Sequence, residues 1–226
     1  MTEQEWLAHT EPRRMLDYLE VYHRVARTRK GRRKLRLFAC ACCRRLWHLP
    51  GNRFGKQVIE VLERFADGLA EWNDVLVAIE AEEAAMKALG PGWVKEWWET
   101  RLWQAVEHAA KYRPQDATDK FSLHIYGTLG ENSDDGPGAL CCLIRDIFGN
   151  PFRSIAIDPA WLTWHGGLLV SMARQMYDSR DFSDMPVWAD ALEEAGCIDA
   201  DILAHCRQSS EHVRGCWVID ALLGKS

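Results

Sequence analysis

The stretch RKLRLFACACCRRLWHL, residues 33–49, decides the fold class. At about 100° per residue around a helix, its apolar side chains fall on one face and a second strip lies beside it. The first face carries Leu35, Phe38, Cys42, Leu46 and Leu49, and the second strip carries Arg36, Cys40, Cys43 and Trp47. The pattern predicts a helix from just after Gly31 to about Leu49, buried on two sides, with thiols that are core residues rather than redox groups.

The same helical period recurs along the chain, and glycine, proline and capping residues separate its segments. Residues 2–5 have the pattern of a capping box, and Asp158 followed by Pro159 reads as a helix start. Predicted helices begin near Thr2, Pro12 and Pro159. Others cover about 58–69, 71–89, 93–112, 121–129, 139–148, 168–177, 185–195, 199–207 and 211–223. The fold class is therefore all-α, a compact single domain over 1–226 of about ten helices with short loops. A sub-boundary is expected in the loop 130–138.

The composition is typical of a folded chain, and the charges are unevenly distributed along it. Of the 226 residues, 47% are hydrophobic and 27% charged, as in ordinary globular proteins. Residues 1–56 carry 14 basic and 5 acidic side chains, whereas residues 57–226 carry 14 basic and 28 acidic ones. The favoured interpretation is that this basic N-terminal part pairs with the acidic remainder.

Nucleic-acid binding is the alternative for the basic segment 24–36, which holds eight cations and no acid. Such a run can neutralise several phosphates without reading a sequence. The candidate contacts are Arg29, Lys30, Arg32, Arg33 and Lys34. The overall net charge of −5 argues against a dedicated nucleic-acid binder.

The eight cysteines are predicted to be reduced thiols. Two adjacent pairs, Cys42-Cys43 and Cys141-Cys142, suit buried thiols better than a disulfide framework. The first six residues are acidic and polar, without the pattern of a secretory signal, so a cytoplasmic location is expected. Apolar runs such as 138–144 are too short to cross a bilayer, and no membrane contact is expected.

A cluster near the C-terminus has the residue types of a zinc site: His205, Cys206, His212 and Cys216. Thiolate and imidazole ligands suit zinc, and His212 and Cys216 are one helical turn apart in the predicted helix 211–223. The competing interpretation packs Cys216 with Ile219 and Leu223 in the core. That interpretation is favoured, so no cofactor is expected, with zinc as the alternative.

Trp93 and Trp97 are the candidate partner-binding residues. On a helical wheel they lie opposite the core stripe of the predicted helix 93–112, and exposed aromatic side chains usually mark contacts. Nucleophile-elbow, metalloprotease and dinucleotide-binding motifs are absent from the sequence, and no catalytic residue is assigned. The sequence favours a non-enzymatic protein–protein interaction or adaptor module that binds another protein or itself; an enzyme or metal site using the C-terminal Cys and His residues is the alternative.

Several segments also resemble a family of uncharacterised paralogous proteins from planctomycete bacteria. The similar segments are RKLRLFACACCRR (33–45), RDIFGNPFR (145–153), DPAW (158–161), ADALEEAGC (189–197), ADILAHCR (200–207) and HVRGCW (212–217). They cover both ends of the chain and leave the middle, from about 76 to 135, unmatched. The resemblance implies a bacterial, intracellular, mostly helical protein of unknown function, and it transfers no catalytic residue.

Overall fold

The computed structural model describes residues 1–45, 47, 55–88 and 136–225, and this part of the chain is all-α. It holds eleven α-helices, two short 3-10 helices and no strand, so the predicted fold class is confirmed for these residues. No helix among them is both long and apolar enough to cross a bilayer. The predicted helices 93–112 and 121–129, and with them Trp93 and Trp97, lie outside the described residues.

The helices follow the predicted order along the chain. Their bounds are α1 Glu3–Ala8, α2 Pro12–His23, α3 Arg29–Arg45, α4 Lys56–Ala66, α5 Trp72–Ala88, α6 Gly136–Phe148, α7 Pro159–Thr163, α8 Leu168–Ser179, α9 Met185–Glu194, α10 Ala200–Arg207 and α11 Trp217–Leu222. The two 3-10 helices are Val25–Arg27 and Trp164–Gly166.

The chain divides into two compact units. The first unit comprises Met1 and Ala8–Cys141, and the second unit comprises Thr2–Leu7 and Cys142–Ser226. The division falls inside α6, and the prediction of one domain over 1–226 stays a prediction. Residues 136–138, predicted as the end of a loop, belong instead to the first turn of α6, where the missing N–H of a proline is tolerated.

The first unit confirms the prediction of a helix buried on two sides. All three cysteines of α3 are buried, together with Leu35 and Phe38. In this unit α4 packs against both α3 and α5. Arg33 Nη2 lies 2.9 Å from Asp67 Oδ1, and Arg44 Nη2 lies 3.0 Å from Glu63 Oε2. Basic groups of α3 thus pair with acidic groups further along the chain.

Helix α3 begins two residues before Gly31, earlier than the sequence pattern predicts. The Thr28 hydroxyl accepts a hydrogen bond from the backbone N–H of Gly31 at 2.9 Å and so caps the first turn. Gly31 is needed inside this turn, because a Cβ at that position would lie 2.0 Å from the Val25 carbonyl oxygen. Gly31 therefore lies inside the helix, where it permits close packing against the 3-10 helix, and does not precede the helix as the sequence pattern predicted.

The second unit is built around a core of large side chains from α7 to α11. Helix α8 packs against α7, α9 and α11, and α9 packs against α10. Trp188 is fully buried and donates its indole N–H to the Leu169 carbonyl at 3.0 Å. This core supports α10, which carries one of the residues of the site described below.

The N-terminal helix α1 also belongs to the second unit. The predicted capping box is confirmed: the Thr2 backbone N–H donates to Glu5 Oε2 at 2.7 Å, and the Glu5 N–H donates to the Thr2 hydroxyl at 3.2 Å. Trp6 is fully buried, and its carbonyl accepts two hydrogen bonds from the Arg145 guanidinium of α6. Helix α1 thereby holds α6 in place directly beside Asp146.

The predicted helix 211–223 is wrong in its first half. Residues 208–216 form a loop, and α11 covers only Trp217–Leu222. Gly215 adopts a φ of +99°, which ends any regular helix there. The backbone N–H of Val213 donates to the Asp146 carboxylate instead of to a helical carbonyl. His212 and Cys216 are consequently loop residues and do not share a helix face.

Candidate metal centre

Four potential metal ligands from three parts of the second unit converge on one point. Asp146 comes from α6, His205 from α10, and His212 and Cys216 from the loop 208–216. One carboxylate oxygen, one nitrogen of each imidazole and the thiol sulfur all lie within 4.8 Å of one another. The arrangement joins a carboxylate, two imidazoles and one thiol.

The closest contacts centre on Asp146 and His205. His205 Nε2 lies 3.2 Å from Cys216 Sγ and 3.3 Å from Asp146 Oδ1. His212 Nδ1 lies 2.7 Å from the same carboxylate oxygen. A single nitrogen of His205 therefore faces both the thiol and the carboxylate. In a proton relay, by contrast, the thiol and the carboxylate would contact opposite nitrogens of the ring. The groups here point to a common centre.

The site is shielded from water. The side chains of Asp146, His212 and His205 are 1%, 5% and 9% exposed, and Cys216 is fully buried. Burial, together with the nearby carboxylate of Asp146, raises the pKa of the Cys216 thiol well above its ordinary value. Burial also opposes ionisation of Asp146, but hydrogen bonds from His205 and His212 outweigh it and lower the pKa of that carboxyl.

The loop 208–216 owes its shape to Asp146. The second carboxylate oxygen, Oδ2, accepts the Val213 backbone N–H at 2.9 Å. One carboxylate thus binds the loop backbone through one oxygen and meets both imidazoles through the other. Asp146, a residue of α6, consequently helps to position the loop that carries His212 and Cys216.

A close contact between Gly149 and Trp217 forms one wall of the site. Gly149, with a φ of +71°, follows the last residue of α6, and a Cβ at this position would lie 3.0 Å from Trp217 Cγ. The Trp217 ring in turn lies with its centroid 5.0 Å from that of His205. Only glycine fits this position, because it permits both the left-handed conformation and the close approach to the indole.

One nitrogen in the site is buried and unsatisfied. His212 Nε2 has no hydrogen-bond partner among the described residues, although Nδ1 of the same ring faces Asp146. Leaving a buried polar group unsatisfied costs about 1–3 kcal/mol. Unsatisfied groups of this kind are uncommon in folded proteins, and an ion held by Nδ1 of this ring would not supply the missing partner.

The geometry fits a metal ion better than it fits a thiol nucleophile. Catalytic cysteines are partly exposed and have a lowered thiol pKa, whereas Cys216 is buried and its thiol pKa is raised. Around a tetrahedral zinc ion, oxygen, nitrogen and sulfur ligands lie about 3.2–3.6 Å apart. The separations of 3.2 and 3.3 Å from His205 Nε2 match this range. On binding the ion, the 2.7 Å hydrogen bond between His212 Nδ1 and Asp146 Oδ1 would lengthen and the widest pairs would close by about 1 Å.

The structure brings together three of the four residues that the sequence suggested for zinc. Cys206 is not among the converging groups, and Asp146 completes the set of four. Cys206 and Cys216 both belong to the hydrophobic core of the second unit, together with Ile219, so the interpretation that packs Cys216 in the core also agrees with the structure. Sequence reasoning missed Asp146 because it lies about 60 residues before the others. One signal was present in the sequence: Asp146 is the one acidic residue of the apolar segment 139–148. Burial of an unpaired charge is costly, so a buried acid in such a segment indicates a polar or charged partner elsewhere in the fold.

The five candidate nucleic-acid residues do not form a common exposed surface. Arg29 and Lys30 are exposed, whereas Arg33 and Lys34 are buried and Arg33 pairs with Asp67. Arg32 donates to the Arg27 carbonyl at 3.1 Å. Two of the five therefore serve the interior of the first unit.

Comparison of the chain with protein-family models, with curated proteins and with solved structures gives no match. The resemblance to planctomycete proteins stays a prediction. The function has to be argued from the site itself.

Proposed function

We propose that the second unit binds one zinc ion through Asp146, His205, His212 and Cys216. The observation that carries the proposal is the convergence of four ligand atoms of different chemistry, from three segments, within 4.8 Å. Two imidazoles and one thiolate are preferred zinc ligands, and a carboxylate is a common companion. The cation also offsets the repulsion between the Asp146 carboxylate and a Cys216 thiolate.

The proposed ion is structural. Four protein ligands fill a tetrahedral shell and leave no position for water or substrate, whereas catalytic zinc sites keep one position open. The ion joins α6, α10 and the loop 208–216. This supports a non-enzymatic role for the protein, that of an interaction or adaptor module whose second unit is held together by metal.

Metal analysis of the purified protein tests the proposal. We expect about one zinc per chain. Replacement of zinc by cobalt(II) should give the absorption of a tetrahedral ion with a thiolate-to-metal charge-transfer band. A protein that carries no metal after purification and binds neither zinc nor cobalt(II) would overturn the proposal.

A pair of cysteine variants provides the matched control. Cys216→Ala and Cys206→Ala each remove a fully buried thiol, from adjacent parts of the same unit. Only Cys216→Ala should abolish the charge-transfer band and lower the zinc content, because Cys206 is not among the converging ligands. If Cys206→Ala removes the band instead, Asp146 has been wrongly placed in the ligand set.

A further inference from the structure

We infer that Gln208 is a positioning residue for the proposed metal centre: its side-chain amide oxygen accepts a hydrogen bond from Nδ1 of His205 and so orients Nε2 toward the ion. This inference rests on the proposed zinc site. Gln208 is a hydrogen-bond partner of the proposed ligand His205 and is not itself a ligand.

The two nitrogens of His205 have different neighbours. Nε2 faces Cys216 and Asp146 at 3.2 and 3.3 Å, so Nε2 is the nitrogen that faces the proposed ion. A neutral imidazole carries one proton, and the coordinating nitrogen has none. In the metal-bound protein the proton therefore resides on Nδ1, which becomes a donor.

The side-chain amide of Gln208 is placed to accept that proton in a hydrogen bond. His205 Nδ1 lies 3.1 Å from the side-chain amide of Gln208, with Nε2 of the amide as the nearest atom. The oxygen and nitrogen of a glutamine amide exchange places by a half-turn of the terminal torsion, and the hydrogen-bond network decides between them. With a proton on Nδ1, the oxygen takes the near position. Ligating histidines commonly donate their second N–H to such an acceptor.

The position of Gln208 in the fold makes it suitable for this role. It is the C-cap residue of α10, with extended backbone angles, and its own N–H approaches the His205 carbonyl at 3.4 Å. It is thus tied to the same helical turn as the ligand. The rings of Trp217 and His212 contact the His205 imidazole at centroid distances of 5.0 and 4.9 Å and limit its tilt. Gln208 then fixes which nitrogen faces the centre.

Zinc affinity of Gln208 variants tests the inference, measured by competition with a chromophoric chelator. Gln208→Met keeps the size of the side chain but removes the amide oxygen, and we expect its zinc Kd to rise about tenfold, the lower end of effects for residues that support a ligand. Gln208→Glu retains an acceptor and should bind zinc at least as tightly as the original chain. The exposed Gln175 of α8 provides the control, because Gln175→Met changes the same residue type in the same unit.

A second readout separates positioning from a general structural effect. In the zinc-loaded protein the Nδ1 proton of His205 should be observable by NMR and protected from exchange with solvent. That protection should persist in Gln208→Glu and be lost in Gln208→Met. Equal zinc Kd values for Gln208→Met, Gln175→Met and the original chain would overturn the inference while leaving the zinc site intact. Failure of the original chain to bind zinc would overturn the proposed function itself.

Discussion

The carboxylate of Asp146 accepts the backbone N–H of Val213 at 2.9 Å, across 67 positions of sequence. This bond and the positive φ of Gly215 together account for the departure of residues 211–216 from the predicted helix. The same carboxylate meets His212 at 2.7 Å through its other oxygen. A side chain of α6 therefore determines both the backbone and the ligand geometry of a loop near the other end of the unit.

Replacing this carboxylate should affect metal binding and stability separately. Asp146→Asn keeps an oxygen that can accept the Val213 N–H but removes the negative charge at the centre. We expect a large loss of zinc affinity with the loop largely retained. Asp146→Ala removes both functions and should also destabilise the metal-free protein, by about 1–3 kcal/mol, because the partly buried Val213 N–H loses its acceptor. Urea unfolding of the two metal-free variants measures the difference; equal free energies of unfolding would contradict it.

Chelation should lower the melting temperature of the protein. An ion that binds only the folded state stabilises it by about 4 kcal/mol when its free concentration is a thousandfold above Kd. For a chain of this size that free energy corresponds to a fall in Tm of roughly 8–16 °C when a chelator removes the ion. Differential scanning calorimetry with and without the chelator measures the shift. Cys216→Ala serves as the control and should melt at the same temperature in both conditions.

Gly149 should be more sensitive to substitution than another glycine with a similar backbone conformation. Gly149→Ala introduces a Cβ 3.0 Å from Trp217 Cγ at a φ of +71°, whereas Gly196, with a φ of +92°, has no atom within 4 Å of the same position. Each substitution costs roughly 1–3 kcal/mol for the left-handed conformation. Only Gly149→Ala should in addition weaken zinc binding, because Trp217 contacts the His205 ring.

The outcome that would contradict this prediction is an identical zinc affinity for the Gly149→Ala and Gly196→Ala proteins. In that case the contact between Trp217 and His205 has no part in holding the ligand. Thermal unfolding of both variants shows whether their backbone strain is comparable.

The buried ion pair between α3 and the end of α4 should be necessary for the first unit. The side chains of Arg33 and Asp67 are 11% and 0% exposed. Asp67→Asn leaves the arginine charge buried without its main carboxylate partner, and breaking a buried pair costs about 3–5 kcal/mol. Because Arg33 keeps slight exposure, we expect the lower end of that range. Chemical unfolding measures the loss.

The exposed cation Arg29 provides the control for the ion pair and a test of nucleic-acid binding. Arg29→Ala should change the free energy of unfolding by no more than about 0.5 kcal/mol, as expected for a surface position. Binding to single- or double-stranded DNA or RNA at low salt should be absent or very weak. If the protein binds nucleic acid in a salt-dependent way, and both Arg29→Ala and Lys30→Ala lower the affinity, the exposed part of the basic segment binds nucleic acid.

Local sequence signals predicted the helices well where capping and periodicity agreed. The capping box at Thr2 and Glu5 and the N-cap at Asp158 are both present, because each depends only on neighbours within three residues. The helix predicted over 211–223 failed for the opposite reason. Its first half is bent by Asp146, a partner 67 positions away, and periodicity contains no information about such a bond.

The sequence indicated most of the residues of the candidate metal centre but not all of them. His205, His212 and Cys216 stood out as zinc-type residues close together in sequence. Cys206 was grouped with them by adjacency to His205, yet successive residues of a helix point about 100° apart, so the two side chains cannot face the same centre. Asp146 could be placed there only by the tertiary fold.

In sequence, helix α1 is separated from the rest of the second unit by the residues of the first unit. The Trp6 carbonyl binds Arg145, 139 positions later, and Glu3 binds Arg153, 150 positions later. During synthesis these first residues must wait until α6 and the segment after it have been made before they can dock. The cost of closing such a long loop grows only slowly with its length, but contacts of high sequence separation form late and slow the folding reaction. The second unit is thus discontinuous in sequence, and α1 can dock on it only after Arg153 has been synthesised.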